Sequence, residues 1–376
     1  MKRTSIAFAA AALAVVAAPF ISEGTVRLSF TENYTPPSAD EHSGLFIHID
    51  ASDLSMASYD ADINGNLRLA SIADPRGNGL YASNSLAPYN KATIKPCALN
   101  GRSVLDLGAL KNAASAADLR WFREGAYANC NNEIDAFIVY ANRTAGEYAD
   151  PFSHYGSTSF MWRNGGEYTL FCTNATGKAH DNLTKATNIF IDGEKTGNLV
   201  KYPDGFHLMY VHNSSGYSLP LNGVGAERNI LQGGMLVAEI YVFDANVFNS
   251  KVHEDLMPHL MKKWGVGDVE PYAPPALSGI TASMNANGLE SLALAGGALA
   301  PGNGGTATIS VPAGFAPREG DYPLLTGASL SEDAAAALET WTVTFSPAID
   351  AAAKLAVSNG NVVLRVMPKA TVISMR

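Results

Sequence analysis

The stretch from Ile134 to Ala141 is apolar on both of its sides. Ile134, Ala136, Ile138 and Tyr140 fall on one face of an extended chain, Phe137 and Val139 on the other. A strand of this kind must be covered above and below, so it belongs at the centre of a layered body. Leu45 to Asp50, Gly205 to His212 and Met235 to Phe243 are also short, rich in β-branched and aromatic residues, and bounded by Gly, Asn, Asp or Pro. These signals dominate the chain and predict an all-β protein. Asp192-Gly193, following Asn188 to Ile191, reads as a tight hairpin turn, because both residues tolerate positive φ.

One helix interrupts the pattern. Asn249 or Ser250 can cap it, Val252, Leu256, Leu260 and Trp264 recur every four residues, and Gly265 ends it. Lys262 and Lys263 suit the negative end of its dipole. Pro258 lies inside this segment and predicts a kink or a split. Residues 267 to 275, with three prolines, read as a linker. Beyond it, residues 276 to 376 turn Ala- and Gly-rich, with strands expected at Thr306 to Val311, Thr340 to Phe345, Lys354 to Ser358 and Asn361 to Met367. Asn359-Gly360 is the strongest hairpin signal in the chain. The expectation is a small antiparallel β domain. The segment Gly296 to Gly305 lacks the Gly-Lys-Ser/Thr ending of a phosphate loop and reads as a flexible turn.

Residues 1 to 22 have the form of a signal peptide. Lys2 and Arg3 precede an apolar run from Ile6 to Phe20 that is too short for a comfortable span. No second run of spanning length follows, so the mature chain is expected to be exported: periplasmic, extracellular or associated with the cell surface. Net charge is −9 for the whole chain and −11 without Lys2 and Arg3. With no basic stripe to offset this charge, nucleic-acid binding is not expected. Of the three cysteines, Cys172 ends an alternating strand-like run and reads as a buried thiol. Cys97 and Cys130 lie in polar, turn-like stretches and form the pair that an oxidising compartment would join as a disulfide. Spacing alone does not fix connectivity, and two separate thiols are the other outcome.

Several stretches resemble a known family. Ile47-His48-Ile49-Asp50-Ala51-Ser52-Asp53-Leu54, Asp74-Pro75-Arg76-Gly77-Asn78-Gly79 and Asn100 to Gly108 are similar to the opening of laminin G-like domains in exported bacterial proteins. Ala238 to Asp244 and the helix end His259 to Gly265 are similar to the closing strand and helix of those domains. The resemblance covers residues 42 to 266 and implies a concanavalin A-like jelly-roll β-sandwich with one short terminal helix. It also implies a role in glycan or protein binding at the cell surface. The chain departs from the family at Ser71-Ile72, where a tryptophan is usual, and at Pro258.

Fold analogy supplies no ligand, so each site has to be argued from its residues. Asp60, Asp62 and Asn64, before Gly65, have the alternate oxygens of half a calcium loop, but Ser71 stands where the bidentate Glu should be. A hairpin turn with acidic neighbours is the plainer reading. Glu133 and Asp135 supply two of the three alternating carboxylates of a sandwich glycosidase strand, and Phe137 replaces the third. Charges at a strand start, facing solvent or a loop, explain the pair better. His253 to His259 lacks the zinc-protease spacing, and His207 and His212 read as ordinary strand residues. Glu239 lies in an otherwise apolar strand and needs partners; a lectin-like or metal role is one reading, and a structural role, accepting from backbone N–H groups near the helix, is the expected one. Trp121, Trp162, Tyr155 and Tyr217 could offer platforms to sugars, although burial at the sandwich rim is the plainer reading.

With no complete catalytic set, the expected function is a non-catalytic recognition module for a glycan or surface protein, with calcium as the one cofactor suggested. A structural or assembly component of the envelope, and a divergent glycoside hydrolase, are the alternatives.

Overall fold

The computed structural model describes residues 26 to 367, apart from 36, 54–56, 62–66, 84–90, 111, 113, 129, 131–134, 146–150, 153–186, 197–201, 214–220, 228–229, 232 and 295–298. The elements that matter here are β1 (Arg27–Thr31), β2 (Leu45–Asp50), β3 (Asp135–Asn142), β4 (His207–Asn213), β5 (Met235–Phe243) and α1 (Lys251–Trp264). In the C-terminal region they are β6 (Ala276–Asn285), β7 (Pro301–Ser310), β8 (Gly320–Thr326), α2 (Glu332–Glu339), β9 (Thr342–Ser346), β10 (Ala352–Ser358) and β11 (Asn361–Met367).

The protein is mostly β, as its strand signals predict. β3 is buried at every position and lies between β4 and β5, antiparallel to both. β5 is where the large sheet forks. Its far edge pairs with β2 over Glu239 to Phe243, and with Arg102–Asp106 at Leu236 and Val237. From Arg102–Asp106 the sheet continues through Thr93–Leu99, Leu67–Ala73 and Leu80–Ser83 to Leu119–Arg123. The two faces of β3 and β5 then enter different cores. Ala136, Ile138, Ile240 and Val242 join the main core, whereas Phe137, Val139, Tyr241 and Phe243 face α1 through Leu256, Leu260 and Trp264. Asp192 and Gly193 make the expected hairpin, with φ of 50° and 84°.

Pro258 neither kinks α1 into two pieces nor ends it; residues Lys251–Trp264 form one helix. Pro258 is exposed, opposite the residues that pack on the sheet. On that side water can take the carbonyl that the missing N–H would have bonded. Ser250 caps the start by accepting from His253 N, and Gly265 closes the end in the left-handed region.

The C-terminal region departs from the expected antiparallel meander, and it has a second helix. β6, β7 and β9 lie parallel in one sheet. Leu292–Ala293 and β8 are parallel in another, which β11 and β10 extend antiparallel through the Asn359-Gly360 turn. The chain alternates between the two sheets, so each return to a sheet comes in the same direction. The expected flexible turn is partly strand: Gly302 to Gly305 belong to β7. A Cβ on Gly305 would stand 2.3 Å from the Trp341 ring, whose Nε1 donates to Gly302 O at 2.7 Å. Glycine is needed there for that close approach.

The N-terminal strand joins this same C-terminal region. β1 pairs antiparallel with β6 and forms the edge of its sheet, so the division at residue 276 is crossed by a strand from the start of the chain. Among the described residues no helix is long and apolar enough to cross a membrane.

Candidate functional site

The pairing of β2 with β5 sets Asp50 opposite Glu239 and His48 opposite Tyr241. Side chains two apart on a strand share a face, so all four point toward α1. The last turn of α1 brings Lys263 and Trp264 onto them. Lys263 Nζ lies 2.6 Å from Asp50 Oδ2 and 2.7 Å from Glu239 Oε2. Trp264 Nε1 donates to Glu239 Oε2 at 2.6 Å, and His48 Nε2 lies 2.9 Å from Glu239 Oε1. The His48 and Tyr241 rings are stacked, with centroids 3.9 Å apart.

Burial opposes charge on both Glu239 and Lys263, and each resolves it through the other. The adjacent ammonium and the His48 hydrogen bond hold Glu239 well below the usual carboxylate range. Asp50 and Glu239 more than offset the desolvation of Lys263 and hold it above an ordinary lysine. The pair is therefore ionised at neutral pH.

A cavity of about 180 Å³ opens beside this cluster. His48, Asp50, Glu239, Tyr241 and Lys263 form one side, and Tyr34, Pro37, Asp53, Pro75 and His259 complete it. Tyr34 meets His259 edge-on at 4.9 Å and stacks on Tyr272 at 5.1 Å. Burial pushes the Tyr34 phenol well above its ordinary range, against the pull of Lys263. The wall behind His48 is braced: its backbone N donates to Asp74 Oδ2, which Arg76 holds at 2.6 Å while also donating to Leu45 O and Phe46 O.

Glu239 accepts from three side chains, and Asp50 accepts from Lys263 and from Ser52 N and Oγ. The Glu239 carboxyl, held well below the usual carboxylate range, carries no proton to donate at neutral pH. His48, Asp50 and Glu239 bring ligand atoms within 4.8 Å of one another, as a metal would need. The Lys263 ammonium already stands against both of those carboxylates, so a metal would have to displace it.

The sequence singled out Glu239 but expected backbone donors; its partners are side chains. Asp135 is not solvent-facing. It is buried and accepts from Tyr210 Oη at 2.6 Å, His212 Nδ1 at 2.7 Å and Val247 N at 2.5 Å. The Cys97–Cys130 disulfide is not formed: the two are separate buried thiols. Cys97 packs in the main core, where burial pushes its thiol up to about 12, and Cys130 lies at 3.9 Å from Phe243 O. Trp121 is wholly buried and offers no sugar platform. The side chains of Asp60, Asp62 and Asn64, together with Glu133, Trp162, Tyr155, Tyr217 and Cys172, lie outside the described residues.

Tyr34, His48, Asp50, His259 and Lys263 were missed as site residues. The alternation of His48 and Asp50 in an apolar strand was the available signal. No protein-family model, curated protein or solved structure matches the chain.

Proposed function

We propose that this is an exported, non-catalytic recognition module with a jelly-roll sandwich, and that the recess beside Lys263 holds the end of a neutral glycan. The observation that carries the reading is the combination of aromatic rings with the Lys263–Glu239 ion pair and the hydrogen-bonded Asp50 carboxylate around one small cavity. Rings such as Tyr34 and His259 offer faces to a sugar, while the fixed polar groups orient its hydroxyls. The charge of Lys263 is already taken up by Asp50 and Glu239, and Asp53 adds a carboxylate at the exposed mouth. An anionic sugar would meet net negative charge there.

A glycan array probed with the full-length mature protein tests this. Neutral oligosaccharides are expected to bind, and Asp53→Lys is expected to improve uronate binding relative to neutral sugars. Clean silence on all glycans, or a preference for uronates in the unaltered protein, would overturn the reading.

A further inference from the structure

The recess is completed by a segment that the C-terminal sheet holds. β1 pairs with β6 from Arg27↔Thr281 to Thr31↔Ala276, and Ser278 Oγ donates to Ser29 O at 3.2 Å. Leu28 and Phe30 are half-buried against the core to which Leu277 and Ile280 belong. The chain then crosses directly to the sandwich. Glu32 receives Arg102 Nε and Nη2 at 3.1 and 2.6 Å, and Asn33 Nδ2 donates to Ala273 O at 3.3 Å. Tyr34 follows, set between Tyr272 and His259 with its ring 5.9 Å from Lys263 Nζ. Tyr34 lies three positions beyond the end of β1, a reach of about 10 Å at full extension.

We infer that the recess is a composite site, in which the C-terminal sheet positions Tyr34 by gripping β1. Releasing β1 then removes the Tyr34 wall and uncovers the β6 edge in one event. By thermodynamic reciprocity, a ligand that needs the wall tightens the grip on β1. The inference deepens the ligand-site reading above and rests on it for its biological meaning, but the positioning can be measured without a ligand.

The test places 3-fluorotyrosine at position 34 of the full-length protein and follows its fluorine signal together with backbone hydrogen exchange. Leu28→Asp puts a charge into the β1–β6 contact. It is expected to move the fluorine signal to that of exposed tyrosine and to speed exchange at residues 27 to 35 about tenfold, as loss of roughly 1.4 kcal/mol of pairing would. Exchange in β3 and β5 should not change. A Tyr34 signal unmoved in a variant that has lost β1 protection overturns the inference.

Should Leu28→Asp fail to fold, the opposite perturbation decides. Ser29 pairs with Gly279, and a Cβ on Gly279 would stand 3.3 Å from Ser29 Cβ, close to disulfide spacing. Ser29→Cys with Gly279→Cys is expected to slow exchange at Glu32 to Tyr34; no slowing overturns the inference. Glycan silence with a positive fluorine result would sink the function reading and leave the positioning standing.

Discussion

The two halves of α1 each lie near a buried carboxylate on the outer face of the sheet, and the two carboxylates are satisfied in opposite ways. Asp135, on β3, is held by a phenol, an imidazole and a backbone N–H, with the aromatic nest of Tyr210, Phe248 and His253 beside it. Glu239, on β5, is held by an indole, an imidazole and an ammonium. Rings fill the space at the first site. At the second, Tyr34 and Pro37 border a cavity beside the ion cluster. A buried carboxylate bonded by dipoles can be sealed inside a core. One bonded by a lysine draws further polar groups around it, and here that group of side chains borders open space.

This contrast fixes the order of the expected effects. Lys263→Ala strands Asp50 and Glu239 without their cation and should cost about 3–5 kcal/mol of stability by denaturant unfolding. Joint replacement by Asp50→Asn, Glu239→Gln and Lys263→Met should recover much of that loss; if Lys263→Ala alone is near neutral, the ion cluster is not what holds α1 down. At the other half, Asp135→Ala leaves the Tyr210, His212 and Val247 donors unmet, so about 1–3 kcal/mol is expected. A larger loss than for Lys263→Ala would reverse the comparison.

The smallest effect is one of pH. Both ring nitrogens of His253 are buried without a hydrogen-bond partner among the described residues. Burial lowers its pKa below 6.5, against the pull of Asp135 and Glu254 and aided by His212. As pH falls through that value the unfolded chain takes the proton first, so stability declines on the acid side of 6.5. His253→Phe should flatten the pH–stability curve between pH 7 and 5. The ion cluster gives way further down: Glu239 is depressed from 4.5, and its contribution is lost only as pH falls below that value. An unchanged slope in His253→Phe would show that the nest accommodates the charge.

Much of the architecture was written locally. Leu45–Asp50, Met235–Phe243 and Asn361–Met367 fall on their predicted bounds, because alternation and turn residues are local signals. Strand direction is not local, and nothing in the short C-terminal runs distinguished a parallel return from a hairpin. Pro258 does not split α1 because it lies on the exposed side, and propensity does not say which side of a helix faces water. The site was least legible of all. Glu239 could be flagged as a carboxylate needing partners, but Asp50 and His48 reach it only through register across 189 residues or more of chain. Tyr34 sits in a segment with no periodicity, placed by a strand whose partner is 245 residues away or more.

The most direct test is a titration of the protein with a neutral oligosaccharide selected on the array, with Tyr34→Ala and His253→Phe measured alongside. The recess account predicts at least a tenfold weaker Kd, about 1.4 kcal/mol, for Tyr34→Ala and no change for His253→Phe. Equal affinity in the unaltered protein and Tyr34→Ala, or a loss confined to His253→Phe, would contradict it.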